Sequence, residues 1–120
     1  MKQQIDYNSR LSVPVTTLAS VVEDLGLQEL DVLKIDTQGF EKEVLKGCGT
    51  ILHNTLIVET EVIFSDAYEK SSSIGGIQDI LTPYGFVLWD IPYIGKFASD
   101  EVNRINFVDV IFVNVAMLNR

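Results

Sequence analysis

The sequence predicts an α/β fold: a mostly parallel four-stranded sheet with one antiparallel strand and about three helices. Three observations carry this reading. Short apolar runs alternate with stretches whose apolar residues recur every three or four positions. Glycines stand where those helical stretches should stop. Two of the apolar runs end in acids. The order helix, strand, helix, strand, helix, strand, strand implies right-handed crossovers. No helical stretch separates the last two strands, so these are expected to run antiparallel, with the antiparallel strand near the sheet's edge.

Each element has a local reason. Residues 1–10 (MKQQIDYNSR) are polar and read as an N-terminal tail or the remnant of a preceding element. Residues 11–120 read as one domain. Val13 and Val15 flank Pro14 in an extended stretch. Thr16 or Thr17 then caps a helix to Leu25, with Leu18, Val21, Val22 and Leu25 on one face and Gly26 after it. LDVLKI, residues 30–35, is a strand apolar enough for burial on both faces. It ends in Asp36, Thr37, Gln38 and Gly39. A helix over 40–46 follows, with Phe40, Val44 and Leu45 inward and Gly47 closing it.

TLIVETEV, residues 55–62, is a second buried strand that turns acidic at Glu59 and Glu61. Ser71 to Ser73 precede a third helix built on Ile74, Ile77, Ile80 and Leu81. Gly75 and Gly76 weaken its start, and Gly85 closes it. FVLWDI, residues 86–91, and VDVIFVNV, residues 108–115, are the last two strands. The polar segment between them is about fifteen residues, long for a loop.

Composition excludes several classes. The chain has 120 residues, the size of one small domain. A net charge of −8 and scattered basic residues argue against nucleic acid and against an anionic membrane surface. The run from Val108 to Leu118 contains Asp109 and Asn114 and is too short to span a bilayer. Cys48 stands alone, which rules out an intrachain disulfide and a Cys-rich zinc site. The single thiol and the missing apolar signal core point to a cytoplasmic setting.

The chemistry gathers at two strand ends. Glu59 and Glu61 are two apart and share one face, as do Lys34 and Asp36. In open α/β sheets ligands bind beyond the carboxyl ends of the parallel strands. Adjacent strands would therefore bring Asp36, Glu59 and Glu61 to one rim. Such a rim can bind a cation, take a hydroxyl proton or orient an amine. Spacing alone leaves a simpler role open, in which the acids solvate strand ends and favour the helix starts that follow. His53 has no nearby Ser or Cys in a strained elbow, and Cys48 between two glycines reads as packing. Tyr68, just after the acidic strand, can cover a pocket. No phosphate loop appears, because Gly47-Cys48-Gly49 and Gly75-Gly76 lack the strand–turn–helix setting.

LKIDTQGFEKEVLKG, residues 33–47, resembles the FkbM-type family of S-adenosylmethionine-dependent methyltransferases. The likeness extends upstream through VPVTTLASVVEDLGLQELDVLKID, where Ala19 stands at a common Asp position. Downstream it takes in LIVETEV, Tyr68, TPYGFVLWDI and FVDVIFVNV, and it covers roughly residues 11–116. The resemblance implies a partial Rossmann-like methyltransferase fold, with 11–120 as the C-terminal half of the domain and its last two strands an antiparallel pair. The glycine-rich cofactor half has no counterpart in these residues. By resemblance Asp36 and Glu59 are the catalytic candidates, Asp36, Thr37 and Gln38 border the cofactor, and Glu41, Glu61 and Tyr68 face the substrate. The implied reaction is O-methylation of a hydroxyl on a small-molecule or glycan acceptor, with S-adenosylmethionine as cofactor and no metal. Two alternatives stand beside it: a non-catalytic module that homodimerises through the open edge of residues 30–35, and an acidic rim that binds a metal or a carbohydrate.

Overall fold

The computed structural model describes residues 9–64, 72–97 and 103–120. The elements are α1 (Leu18–Asp24), β1 (Leu30–Ile35), α2 (Glu41–Lys46), a 3-10 helix (Gly49–Asn54), β2 (Thr55–Ile63), α3 (Ile74–Leu81), a short 3-10 turn (Thr82–Tyr84), β3 (Phe86–Lys96), β4 (Ile105–Asn114) and α4 (Val115–Leu118). Thr17 caps α1, its hydroxyl accepting from the Ser20 amide at 3.2 Å. Ser73 caps α3 in the same way, accepting from the Gly76 amide at 2.9 Å. Phe40 is the cap residue of α2, not part of its inward face, and is 54% exposed.

The strands form one sheet in the order β1-β2-β4-β3. β1 and β2 are parallel, while β4 is antiparallel to both β2 and β3. The expected mostly parallel sheet is thus corrected. β1, β2 and β3 do point one way, but β4 inserts between β2 and β3, and only one parallel pair remains. The reason is visible in β4 itself. Val108, Val110, Phe112 and Val113 are all buried, and a strand so apolar is best placed with neighbours on both sides.

One face of the sheet is covered. Ile35, Val58, Val62, Val110 and Phe112 share a single core with Val22 of α1, Leu45 of α2, and Ile77 and Leu81 of α3. The opposite face is thinly covered, and Val32 there is 55% exposed. β1 is therefore not buried on both faces as its composition suggested. It is an edge strand with Ile35 as its single buried residue.

The polar segment between the last strands is mostly paired backbone. β3 extends to Lys96 and β4 begins at Ile105, so the pair forms a long hairpin. The ring of Phe107 lies over Gly95, where any side chain would collide with it. Tyr93 packs on Phe107 with ring centroids 5.6 Å apart. Pro92 is accommodated at one of three register irregularities along β3.

Candidate functional site

The parallel register of β1 and β2 sets the site. Lys34 lies opposite Glu59 and Ile35 opposite Thr60, so Asp36 leaves β1 level with Glu61. On the other side of β2, Glu61 pairs with Asp109 of β4. Asp36, Glu59, Glu61 and Asp109, with Lys34, line a shallow depression of about 130 Å³ at the carboxyl end of the parallel pair. The three acids expected at one rim are brought together. Asp109 is a fourth that the sequence reading did not assign. Its signal was present: it is the lone acid inside an otherwise apolar strand, on the same side of the pleat as Glu61.

The rim carboxylates have distinct partners. Lys34 Nζ donates to Glu59 Oε1 at 2.9 Å. The hydrogen bond to Glu59, and then its charge, raise the Lys34 ammonium above its ordinary value. Gln38 Nε2 donates to Asp36 Oδ1 at 2.7 Å and to Glu61 Oε1 at 3.3 Å. Glu61 is raised above the ordinary glutamate value, first by partial desolvation, then by the charges of Asp36, Asp109 and Glu41, against which the Gln38 bond acts.

The 36–39 loop is held from beneath. Gln38 adopts φ +54° and Gly39 φ +105°. Glu41 Oε1 accepts from the Thr37 amide at 3.1 Å, the Thr37 hydroxyl at 3.2 Å and the Gly39 amide at 3.1 Å. The polar atoms of Thr37 are therefore turned into the loop's own scaffold. Tyr68 lies outside the described residues.

The remaining candidates lie elsewhere. Cys48 is fully buried, its thiol is pushed up to about 11 by burial, and Sγ donates to the Val44 carbonyl at 3.3 Å. A thiol so placed is inert. His53 sits at the far end of the sheet, edge-on to Tyr84 at 4.7 Å. Among the described residues no group of three or more His, Cys, Asp and Glu is arranged to hold a metal ion. No helix among them is long and apolar enough to cross a membrane.

The class this defines is an α/β domain with a mixed four-stranded sheet, whose acids gather where β1 ends alongside β2 and β4. The particular family follows from the sequence: the chain belongs to the methyltransferase FkbM domain family, whose model matches residues 2–88. That match contains α1, β1, α2, β2 and the whole 36–39 loop, while Asp109 lies beyond it. The chain is also 27% identical over 85 residues to the 2-O-methyltransferase NoeI of Sinorhizobium fredii (strain NBRC 101917 / NGR234), an alignment covering 71% of this chain and 35% of that protein. The aligned part is thus about a third of that relative. No solved structure matches the chain.

Proposed function

We propose that this chain forms the acceptor side of an S-adenosylmethionine-dependent O-methyltransferase acting on a hydroxyl of a sugar or other small molecule. The observation that carries this reading is the meeting of Asp36, Glu59 and Glu61 at one rim, inside the segment matched by the methyltransferase family. The name of the 2-O-methyltransferase relative supports oxygen as the atom methylated.

The cofactor fits this rim in charge, and only in part by size. S-adenosylmethionine supplies an activated methyl on a positive sulfur, beside a positive amine, and carboxylates suit both cations. The depression of about 130 Å³ is small beside the roughly 300 Å³ or more of a small-molecule pocket. These residues therefore hold one end of the ligand at most. Their own work is positioning and proton transfer. A hydroxyl that gains a methyl must lose its proton. Asp36 and Glu59 are the proposed bases, with Lys34 orienting Glu59. Glu61 and Tyr68 are the proposed acceptor contacts.

The test is an amide NMR titration of the chain with S-adenosylmethionine. Shifts at the 36–39 loop and at the ends of β1 and β2 are expected, with Asp36→Asn weakening the apparent affinity about tenfold. Saturating ligand that leaves the rim unmoved, or instead moves the groove of about 430 Å³ that Ala19, Val22, Gln28, Thr50 and Ile51 line between α1 and the 3-10 helix, would sink the reading.

A second reading concerns partners. We propose that a second copy of the chain pairs along β1. Among the described residues its outer edge is unpaired and its register regular, whereas the other edge strand carries Pro92 and three irregularities that discourage pairing.

A further inference from the structure

Glu41 opens α2, where an acid is normally solvated, yet it is only 1% exposed. Burying a carboxylate is costly unless its oxygens are hydrogen-bonded. Here one oxygen, Oε1, collects three donors, and all three belong to the loop that joins β1 to α2. The donors come from Thr37 and Gly39, the two neighbours of Gln38. Gln38 itself has φ +54°, which costs a residue with a side chain about 1 kcal/mol or more. The Glu41 oxygen therefore ties together the two sides of a strained turn. The product of that turn is the placement of the Gln38 amide, 2.7 Å from Asp36 and 3.3 Å from Glu61.

We infer that Glu41 is a positioning residue: its buried carboxylate sets the turn that delivers the Gln38 amide between the Asp36 and Glu61 carboxylates. A donor in that place offsets the repulsion of two like charges and fixes their spacing before any ligand arrives. Glu41 then acts through Gln38, without touching the acceptor. What the rim does with this spacing rests on the methyltransferase reading, but the strut itself does not.

The experiment is carried out on the full chain by NMR with Glu41→Ala, Glu41→Gln and Glu41→Asp. Exchange of the Thr37 and Gly39 amide protons and the side-chain amide shifts of Gln38 are the readouts. Glu41→Ala is expected to speed both backbone exchanges at least about tenfold, the equivalent of ~1.4 kcal/mol, and to move Gln38 to the shifts of a solvated amide. Glu41→Gln keeps an oxygen acceptor and is expected to restore wild-type values. Glu41→Asp draws the oxygen back by one methylene and should resemble Glu41→Ala, which keeps the test open if the alanine variant does not fold. Slow exchange and unchanged Gln38 shifts in folded Glu41→Ala or Glu41→Asp would overturn the inference. A wild-type rim that ignores S-adenosylmethionine while these variants behave as expected would remove the methyltransferase reading and leave the strut standing.

Discussion

The two ends of the sheet are built on opposite terms. At the carboxyl end of β1 and β2, four acids and one lysine crowd a shallow rim, and a glutamine in a left-handed turn bridges two of the acids. At the opposite end, β2 begins, β4 finishes and β3 begins, and the chain is tightly tied. Asn114 is fully buried and donates to the Leu52 carbonyl at 3.3 Å and the His53 carbonyl at 3.5 Å. Arg120 donates to the same His53 carbonyl at 3.0 Å and to Asn54 Oδ1 at 2.9 Å. Thr55 closes onto the Ile51 carbonyl at 2.8 Å. One end spends its polar groups on satisfying backbone. The other keeps like charges close together, an arrangement that stability alone does not select.

Substitutions should therefore separate the two ends. The largest effect is expected at Gly85, where φ is +94° and a Cβ would lie 2.9 Å from both Ala116 Cβ and Asn114 Oδ1. Gly85→Ala should cost about 2–4 kcal/mol through strain and crowding. Urea unfolding measures it, and the NMR shifts of the 36–39 loop should stay in place below the transition. Next comes Asn114→Ala, which leaves two carbonyls short of a donor in a buried site, at a cost of about 1–3 kcal/mol. A loss of stability at either position that also displaced the rim signals would break the division into two ends.

The two edges of the sheet allow a subtler test. Val32→Lys places a charge on the exposed side of β1 and should abolish self-association measured by sedimentation, with stability changed by about 0.5 kcal/mol or less. The wild type sedimenting as a monomer at high concentration would remove the proposed pairing.

What was legible in the sequence divides along physical lines. The Thr17 cap and Gly26 are local signals, and α1 falls between them. The limits of β1 were legible because an apolar run meets Asp36 at one end. The rim followed from those limits, since Asp36 leaves β1 beside Glu59 and Glu61 of the parallel neighbour, which itself runs on to Ile63. Strand order was not legible: periodicity reports which face a residue takes, not which strand lies beside it, so β4's place between β2 and β3 was hidden. Pro92 and Gly95 read as loop because their pairing depends on register irregularities and on the Phe107 ring across the hairpin. Glu41 was expected to face the substrate by resemblance, because only the turn of the 36–39 loop, invisible in the sequence, buries it and brings three donors around it.

The smallest expected effect sharpens the contrast most. Glu61 is raised above 4.5, the ordinary glutamate value, by partial desolvation and then by its acidic neighbours. Between 4.5 and the raised value the folded chain holds more protons than the unfolded one. Stability from this group is therefore fully present below 4.5 and is lost as pH climbs through the raised value. Glu61→Gln removes the charge that causes the loss. It should stabilise the chain at pH 7 relative to wild type, and much less at pH 4, by no more than about a few tenths of a kcal/mol because the group is only partly buried. Urea midpoints of both proteins at both pH values give the difference. Asn114→Ala, at the opposite end, should show the same penalty at pH 4 and pH 7. An equal effect of Glu61→Gln at the two pH values would mean that the rim acids do not strain one another, and that this end of the sheet is as settled as the other.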